Sequence, residues 1–267
     1  MKRVLITGAA KGIGKALAVH FSEKGFEVIA TDLDEDGLQT IKKEHKNIST
    51  YSQEVRNYEA WLQLANELEE SGRLPDILIN NAGVIRPGLS YEQNAADIDL
   101  QLDVNTKGLI FGTNIIGAKM VVRGSGHIIN IASLAGIAPI YGLSMYCASK
   151  FAARGFTLAA AQEFIEKGVY VTCICPDGTN TPMFESMASE PSLAMAFSAK
   201  KILEPADIVT AVEKALKCKS LEITLPLSRG IISKLASLNI RMGILLKNKL
   251  LKRGRSNQKV YAKKMKK

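Results

Sequence analysis

Short, mostly apolar runs recur at residues 4–6, 28–30, 77–79, 128–131 and 169–174, and segments of helical period separate them. Runs of this length suit strands buried on both faces of a sheet. Strand and helix in strict alternation predict a parallel sheet with right-handed crossovers and helices on both sides. A length of 267 residues is long for one domain, but a doubly wound α/β fold accommodates it. No internal repeat and no linker rich in Pro, Gly or Ser marks a second folded unit. The expectation is one folded domain over residues 1–225, followed by a basic helical extension over 226–267.

The first apolar run leads directly into Thr7-Gly8-Ala9-Ala10-Lys11-Gly12-Ile13-Gly14, and a helical pattern follows. A glycine-rich turn between strand and helix lets the backbone approach a pyrophosphate, whose charge the amides of the helix start can bind. The same turn can also form with no ligand, so context decides. The second strand ends at Asp32, about twenty residues past the turn, where a carboxylate can accept hydrogen bonds from an adenosine ribose. A third run, Asp76 to Ile79, ends in Asn80-Asn81-Ala82-Gly83. Tyr146 and Lys150 are four residues apart, which on a helix stacks them on one face, and Ser133 lies thirteen residues before Tyr146. A phenol is a poor acid or base at neutral pH; an ammonium beside it favours the phenolate, and a hydroxyl can orient a substrate oxygen toward it. Such a trio moves a proton to or from an alcohol or carbonyl, although Tyr-x-x-x-Lys alone also occurs on solvated helix faces.

Taken together, these motifs resemble the short-chain dehydrogenase/reductase family over roughly residues 2–225. The family's Thr-Gly-x-x-x-Gly-x-Gly turn is matched at Thr7 to Gly14 and its Asn-Asn-Ala-Gly segment at Asn80 to Gly83. The resemblance implies a seven-stranded parallel sheet whose last strand is near Leu221 to Leu225. It also implies a catalytic tetrad of Asn105, Ser133, Tyr146 and Lys150. Tyr146 would act as acid or base, Lys150 would hold the nicotinamide ribose, Ser133 would bind the reacting oxygen, and Asn105 would anchor a water in the proton relay. Asn105 is expected in a long helix between Gly83 and Ser133. Gly8, Gly12, Ile13 and Gly14 would receive the pyrophosphate. Asp32 and Leu33, Glu54 and Val55, and Asn81, Ala82 and Gly83 would line the adenosine side. The resemblance further implies that Thr181, five residues past Pro176, contacts the nicotinamide carboxamide, with Thr179 beside it as a cofactor contact. Where the family usually has glycine after that proline, this chain has Asp177. NAD is the expected cofactor, because Asp32 would repel a 2′-phosphate; Lys11 offers NADP a partial offset. The resemblance also implies a homodimer or homotetramer.

Charge is split along the chain. Residues 223–267 hold thirteen Lys or Arg and no acid, which leaves 22 basic against 26 acidic residues in the rest. Ile231, Leu235, Leu238, Met242 and Leu245 step along one helical face, widened by Ile232 and Leu246. A basic amphipathic helix of this kind suits an anionic membrane surface, though it is too interrupted by charge to span one. It could equally pack on the body or on a partner. Nucleic acid is not an expected partner, since no reading motif accompanies the charge.

Residues 181–204 are apolar and rich in methionine, as a lid over a bulky substrate would be, and equally as an ordinary helical pair covering the core would be. The four cysteines make no metal-ligand pattern and read as buried, reduced thiols, and no metal is expected. His20, His45 and His127 are scattered. The first strand begins at once, which leaves no room for a signal peptide and points to the cytoplasm, with peripheral membrane contact through the extension. The reading is an NAD(P)-dependent oxidoreductase interconverting a secondary alcohol and a ketone, with a lipophilic substrate such as a steroid, retinoid or long-chain lipid. The alternatives are a cofactor-binding scaffold or sensor recruited by its tail, and a dehydratase or epimerase on the same fold.

Overall fold

Seven strands form one parallel sheet in the computed structural model, which describes residues 1–265 apart from the side chains at positions 240, 242, 243 and 246. They are β1 (Arg3–Thr7), β2 (Glu27–Asp32), β3 (Ile48–Ser52), β4 (Ile77–Asn80), β5 (Gly126–Ile131), β6 (Val169–Pro176) and β7 (Glu222–Leu225), in the order β3-β2-β1-β4-β5-β6-β7. The chain winds outward from β1 to β3 and then returns to β4 on the other side. Val4 therefore pairs with both Val28 and Ile77. At that reversal the loops leaving β1 and β4 part in opposite directions, and they open a crevice at the carboxyl ends of the strands.

Alternation along each strand divides the core in two. Val4, Ile6, Val28, Ile79 and Ile129 face helices α1 (Gly12–Glu23) and α8 (Pro205–Cys218), where Leu17, Ile208 and Val212 complete the packing. Leu5, Ile29, Leu78 and Ile128 face the other way, toward Trp61 and Leu64 of α3 (Tyr58–Glu70) and Ile116 of α5 (Leu109–Arg123). Trp61 is fully buried, and its indole N–H donates to the Val55 carbonyl at 3.0 Å. Gly112 of α5 passes so close to Trp61 that a Cβ there would lie 2.7 Å from the ring. The remaining helices before the extension are α2 (Glu35–Glu44), α4 (Ala95–Leu102), α6 (Ser144–Ile165) and the short α7 (Pro182–Glu185). Cys147, Cys173 and Cys175 are buried free thiols, whereas Cys218, at the last turn of α8, is exposed and corrects the expectation of four buried ones.

The extension is two helices, α9 (Leu227–Leu238) and α10 (Ile240–Met265), rather than one through the apolar stripe. The break is at Asn239, which has an extended backbone and whose side-chain oxygen accepts from the Arg241 N–H at 3.1 Å. Asparagine offers the backbone this local bond in place of a helical one. Ile231, Ile232, Leu235 and Leu238 on α9, and Ile244 and Leu245 on α10, are exposed, Leu238 to 83%. The stripe positions Met242 and Leu246 are outside the described side chains. α9 lies on the edge strand β7, where a Cβ at Gly230 would overlap the Thr224 hydroxyl and Lys234 pairs with Glu222. Among the described residues no helix is long and apolar enough to cross a membrane.

Candidate active site

The crevice at the strand reversal is built by two turns stitched together. Thr7 ends β1, and its hydroxyl accepts from the backbone N–H groups of Asn81 and Ala82, both at 3.0 Å. The Asn81 amide returns the contact by donating to the carbonyls of Thr7 at 2.9 Å and Gly8 at 3.1 Å. Gly8 and Gly12 have φ of +65° and +54°, in the left-handed region that favours glycine. A Cβ at Gly14 would overlap the Gly8 carbonyl. The backbone therefore turns with no side chain in the way, and α1 starts at Gly12 with its first amides free of side-chain caps. This donor set suits a pyrophosphate.

Asp32 caps the same turn: one oxygen accepts from Ala10 N–H at 2.9 Å and the other from Asp34 N–H at 3.0 Å. Lys11 is exposed, and its ammonium is 2.6 Å from the Asp34 carboxylate. The hydrogen bond and charge of that pair raise the Lys11 pKa and lower that of Asp34. Glu54 is likewise paired, 2.6 Å from Arg56. Asp34 was not among the expected site residues; the only signal for it in the sequence is a second acid two positions past Asp32.

Tyr146 and Lys150 come from α6, and Ser133 caps the 3₁₀ turn Leu134–Gly136 that follows β5. The Ser133 hydroxyl accepts from Ala135 N–H at 3.0 Å and is 3.5 Å from the Pro176 carbonyl. Lys150 is 4% exposed, donates to the Ile131 carbonyl at 3.0 Å, and has its ammonium 5.8 Å from the centre of the Tyr146 ring. Burial disfavours its charge and lowers its pKa to about 8. Tyr146 reaches solvent only in part, and desolvation pushes its phenol up to about 12, against the opposing effect of the Ser133 hydroxyl.

Asn105 lies in a π-helical turn, Asp103–Gly108, between α4 and α5 instead of within one regular helix. Its side chain is fully engaged: the oxygen accepts from Val84 N–H at 2.8 Å, while the amide donates to the Val84 carbonyl at 2.9 Å and to the Ser149 hydroxyl at 3.0 Å. It thus ties the segment after β4 to α6.

One cavity of about 440 Å³ is lined by every expected site residue except Gly14 and Asn105. It runs from Gly8, Asp32, Leu33, Glu54 and Val55 past Asn81, Ala82 and Gly83 to Ser133, Tyr146 and Lys150, with Lys11, Gly12, Ile13, Thr179 and Thr181 also on its wall. Asp177 lines it too. Its buried carboxylate accepts from Gly178 N–H at 2.9 Å and is 2.5 Å from the Arg229 Nε of α9. Burial raises its pKa, with Arg229 pulling in the opposite sense. No sequence signal connected Arg229 to this loop.

A sequence profile of the short chain dehydrogenases matches residues 2–192. The chain is 35% identical over 216 residues to "NADP-dependent 3-hydroxy acid dehydrogenase YdfG" of Salmonella typhi, covering 78% of this chain and 86% of that one. It is also 35% identical over 186 residues to "Probable oxidoreductase EphD" of Mycobacterium bovis, covering 67% of this chain, but it spans only 31% of that relative's length. Among solved structures, "4-hydroxyisoleucine dehydrogenase complexed with NADH" superposes with a TM-score of 0.73 at 26% identity, covering 84% of this chain and 96% of the other.

The Lys150 environment has a consequence for stability. Between about pH 8 and the ordinary lysine value of 10.5, the folded chain has released this proton and the unfolded chain still holds it. The unfolded state then binds more protons, so this group adds stability as pH rises through that window. In Lys150→Met the gain is absent. Urea unfolding at pH 7.5 and 9.5 should show wild type improving relative to the variant by on the order of 2 kcal/mol. An unchanged difference would mean that Lys150 is not desolvated as described.

Proposed function

Because the chain belongs to the short-chain dehydrogenase family, we propose that it interconverts a secondary alcohol and a ketone with a nicotinamide dinucleotide. The observation that carries this reading is the convergence of Tyr146, Ser133 and Lys150 on the same cavity as the glycine turn. The bound dinucleotide would supply or accept the hydride at the carbinol carbon. Tyr146, protonated at neutral pH, gives its proton to the carbonyl oxygen in reduction and recovers it from the hydroxyl in oxidation. Ser133 hydrogen-bonds that oxygen. Lys150, when charged, stabilises the phenolate left behind and binds the nicotinamide ribose. The Asn105 side chain is already engaged by Val84 and Ser149, which counts against that side chain anchoring a relay water.

For the cofactor, we favour NAD. Asp32 faces the ribose end of the cavity, and Lys11 is neutralised by Asp34, so little positive charge remains for a 2′-phosphate. For the substrate, a lipophilic alcohol or ketone suits the wall formed by Ile85, Leu143, Met183, Phe184 and Met187. The Salmonella relative's name suggests a hydroxy acid instead. Against that, of the basic residues on the cavity wall, Lys11 and Arg56 are each paired with an acid, and Lys150 is assigned to the ribose and the phenolate. The extension supports a peripheral contact with anionic lipid, since thirteen basic residues accompany nine exposed large apolar ones among the described residues.

Three measurements test these readings. Tyr146→Phe keeps the ring and removes the proton, so turnover of a ketone with NADH should fall by roughly a hundredfold or more while NADH still binds; near-normal turnover would sink the assignment. Fluorescence titration should give NADH at least about tenfold tighter binding than NADPH, as one uncompensated like charge at short range implies, and parity would refute the preference. The full-length protein should sediment with phosphatidylglycerol vesicles more than with phosphatidylcholine ones, the difference shrinking in salt. Equal sedimentation rules out the anionic surface.

A further inference from the structure

The lid is one layer thick. Phe184 and Met187 line the cavity from α7 and the turn after it, and Ala196 does so from the 3₁₀ segment Pro191–Phe197. Behind this layer lies α10, which meets it with residues at three- and four-residue steps: Gly254, Asn257, Gln258 and Tyr261. A Cβ at Gly254 would overlap the Ala194 carbonyl, so the helix backbone rests directly on the lid. The Asn257 amide donates to the carbonyls of Phe197 at 2.9 Å and Ala199 at 3.0 Å. The Gln258 amide, 6% exposed, donates to those of Met187 at 3.0 Å and Glu190 at 2.7 Å. The Tyr261 ring is 5.5 Å from that of Phe184 and 5.6 Å from that of Phe197, and its hydroxyl donates to the Asn180 side chain at 2.6 Å, between Thr179 and Thr181.

A helix that merely covers a core does so with apolar side chains. Here two carboxamides serve four carbonyls of an irregular segment. The segment's own backbone bonds are short-range ones within single turns, such as Met187 N–H to Phe184 and Leu193 N–H to Glu190, and segments of that kind open at low free-energy cost unless something outside holds them.

We infer that α10 is an intramolecular clasp, in which Asn257, Gln258 and Tyr261 position the lid against the cavity and thereby set how tightly substrate is held. The effect on substrate rests on the dehydrogenase reading; the clasp itself does not. These three are positioning residues, since none lines the cavity. Loss of the clasp leaves Tyr146, Lys150 and the glycine turn in place, so affinity for substrate should suffer and the chemical step should not.

Gln258→Leu and, separately, Asn257→Ala in the full-length protein provide the test, with decan-2-one and NADH as the probe pair. Each lost pair of buried hydrogen bonds should speed amide hydrogen exchange over residues 184–199 by about tenfold or more, with the strands unchanged. KM for decan-2-one should rise by about the same factor, while kcat and the NADH dissociation constant stay within about twofold. Exchange that is unchanged in the lid, or raised equally across the sheet, overturns the clasp and leaves α10 a general stability element. A fall in kcat at constant KM overturns the positioning role. If wild type reduces no decan-2-one, the fault lies with the proposed substrate or reaction, and the exchange data still decide the clasp. Should Gln258→Leu not fold, Asn257→Ala is judged by the same outcomes.

Discussion

The Thr7 hydroxyl, by accepting two backbone amides from the start of the next turn, joins the two loops that diverge at the reversal of strand order. The rest of the site depends on this junction. It sets Asn81 beside the carbonyls of the glycine turn, and through Asn105 the same segment is tied across to α6. A parallel sheet buried on both faces offers its polar backbone ends only at the strand termini, so the crevice is the place where a charged ligand can meet free amides without disturbing the core. The positions of Tyr146 and Lys150 relative to that crevice follow from how α6 packs, not from any contact between the two side chains.

The proposed proton transfer would rest on opposed desolvation. The same burial moves the phenol up to about 12 and the ammonium down to about 8. Each group is therefore closest to its neutral form when no other charge is near, and each responds strongly to a charge introduced beside it, because little water screens the interaction. Ser133 already acts against the shift of Tyr146. Such an arrangement keeps the phenol protonated at rest, and under the proposed reaction a change in the surrounding charge would make that proton transferable.

Much of the fold was legible because its signals are local. The five apolar runs became β1, β2, β4, β5 and β6, and Asp32 is where a twenty-residue count from the glycine turn places it. What escaped notice depends on partners distant in sequence. The π-helical turn at Asn105 follows from packing between α4, α5 and α6, and no periodicity announces it. Lys11 reads as free until Asp34 is seen opposite. Asn257 and Gln258 are polar residues on a basic helix and so resemble a solvated face; only the lid carbonyls 58 to 71 positions earlier give them another meaning. The apolar stripe was read across Asn239 because its spacing is helical, whereas the side-chain bond to Arg241 N–H stops the helix there.

The ion pair of Asp177 with Arg229 joins a loop on the cavity wall to the first turn of the extension. A buried carboxylate tolerates its place only with a cation or a proton. Substituting Arg229 alone would strand an acid beside the cavity, and substituting Asp177 alone would leave an arginine with nothing to neutralise it. The two positions are therefore coupled in energy, and the edge helix holds the loop beside the cavity through a charge that neither can give up alone.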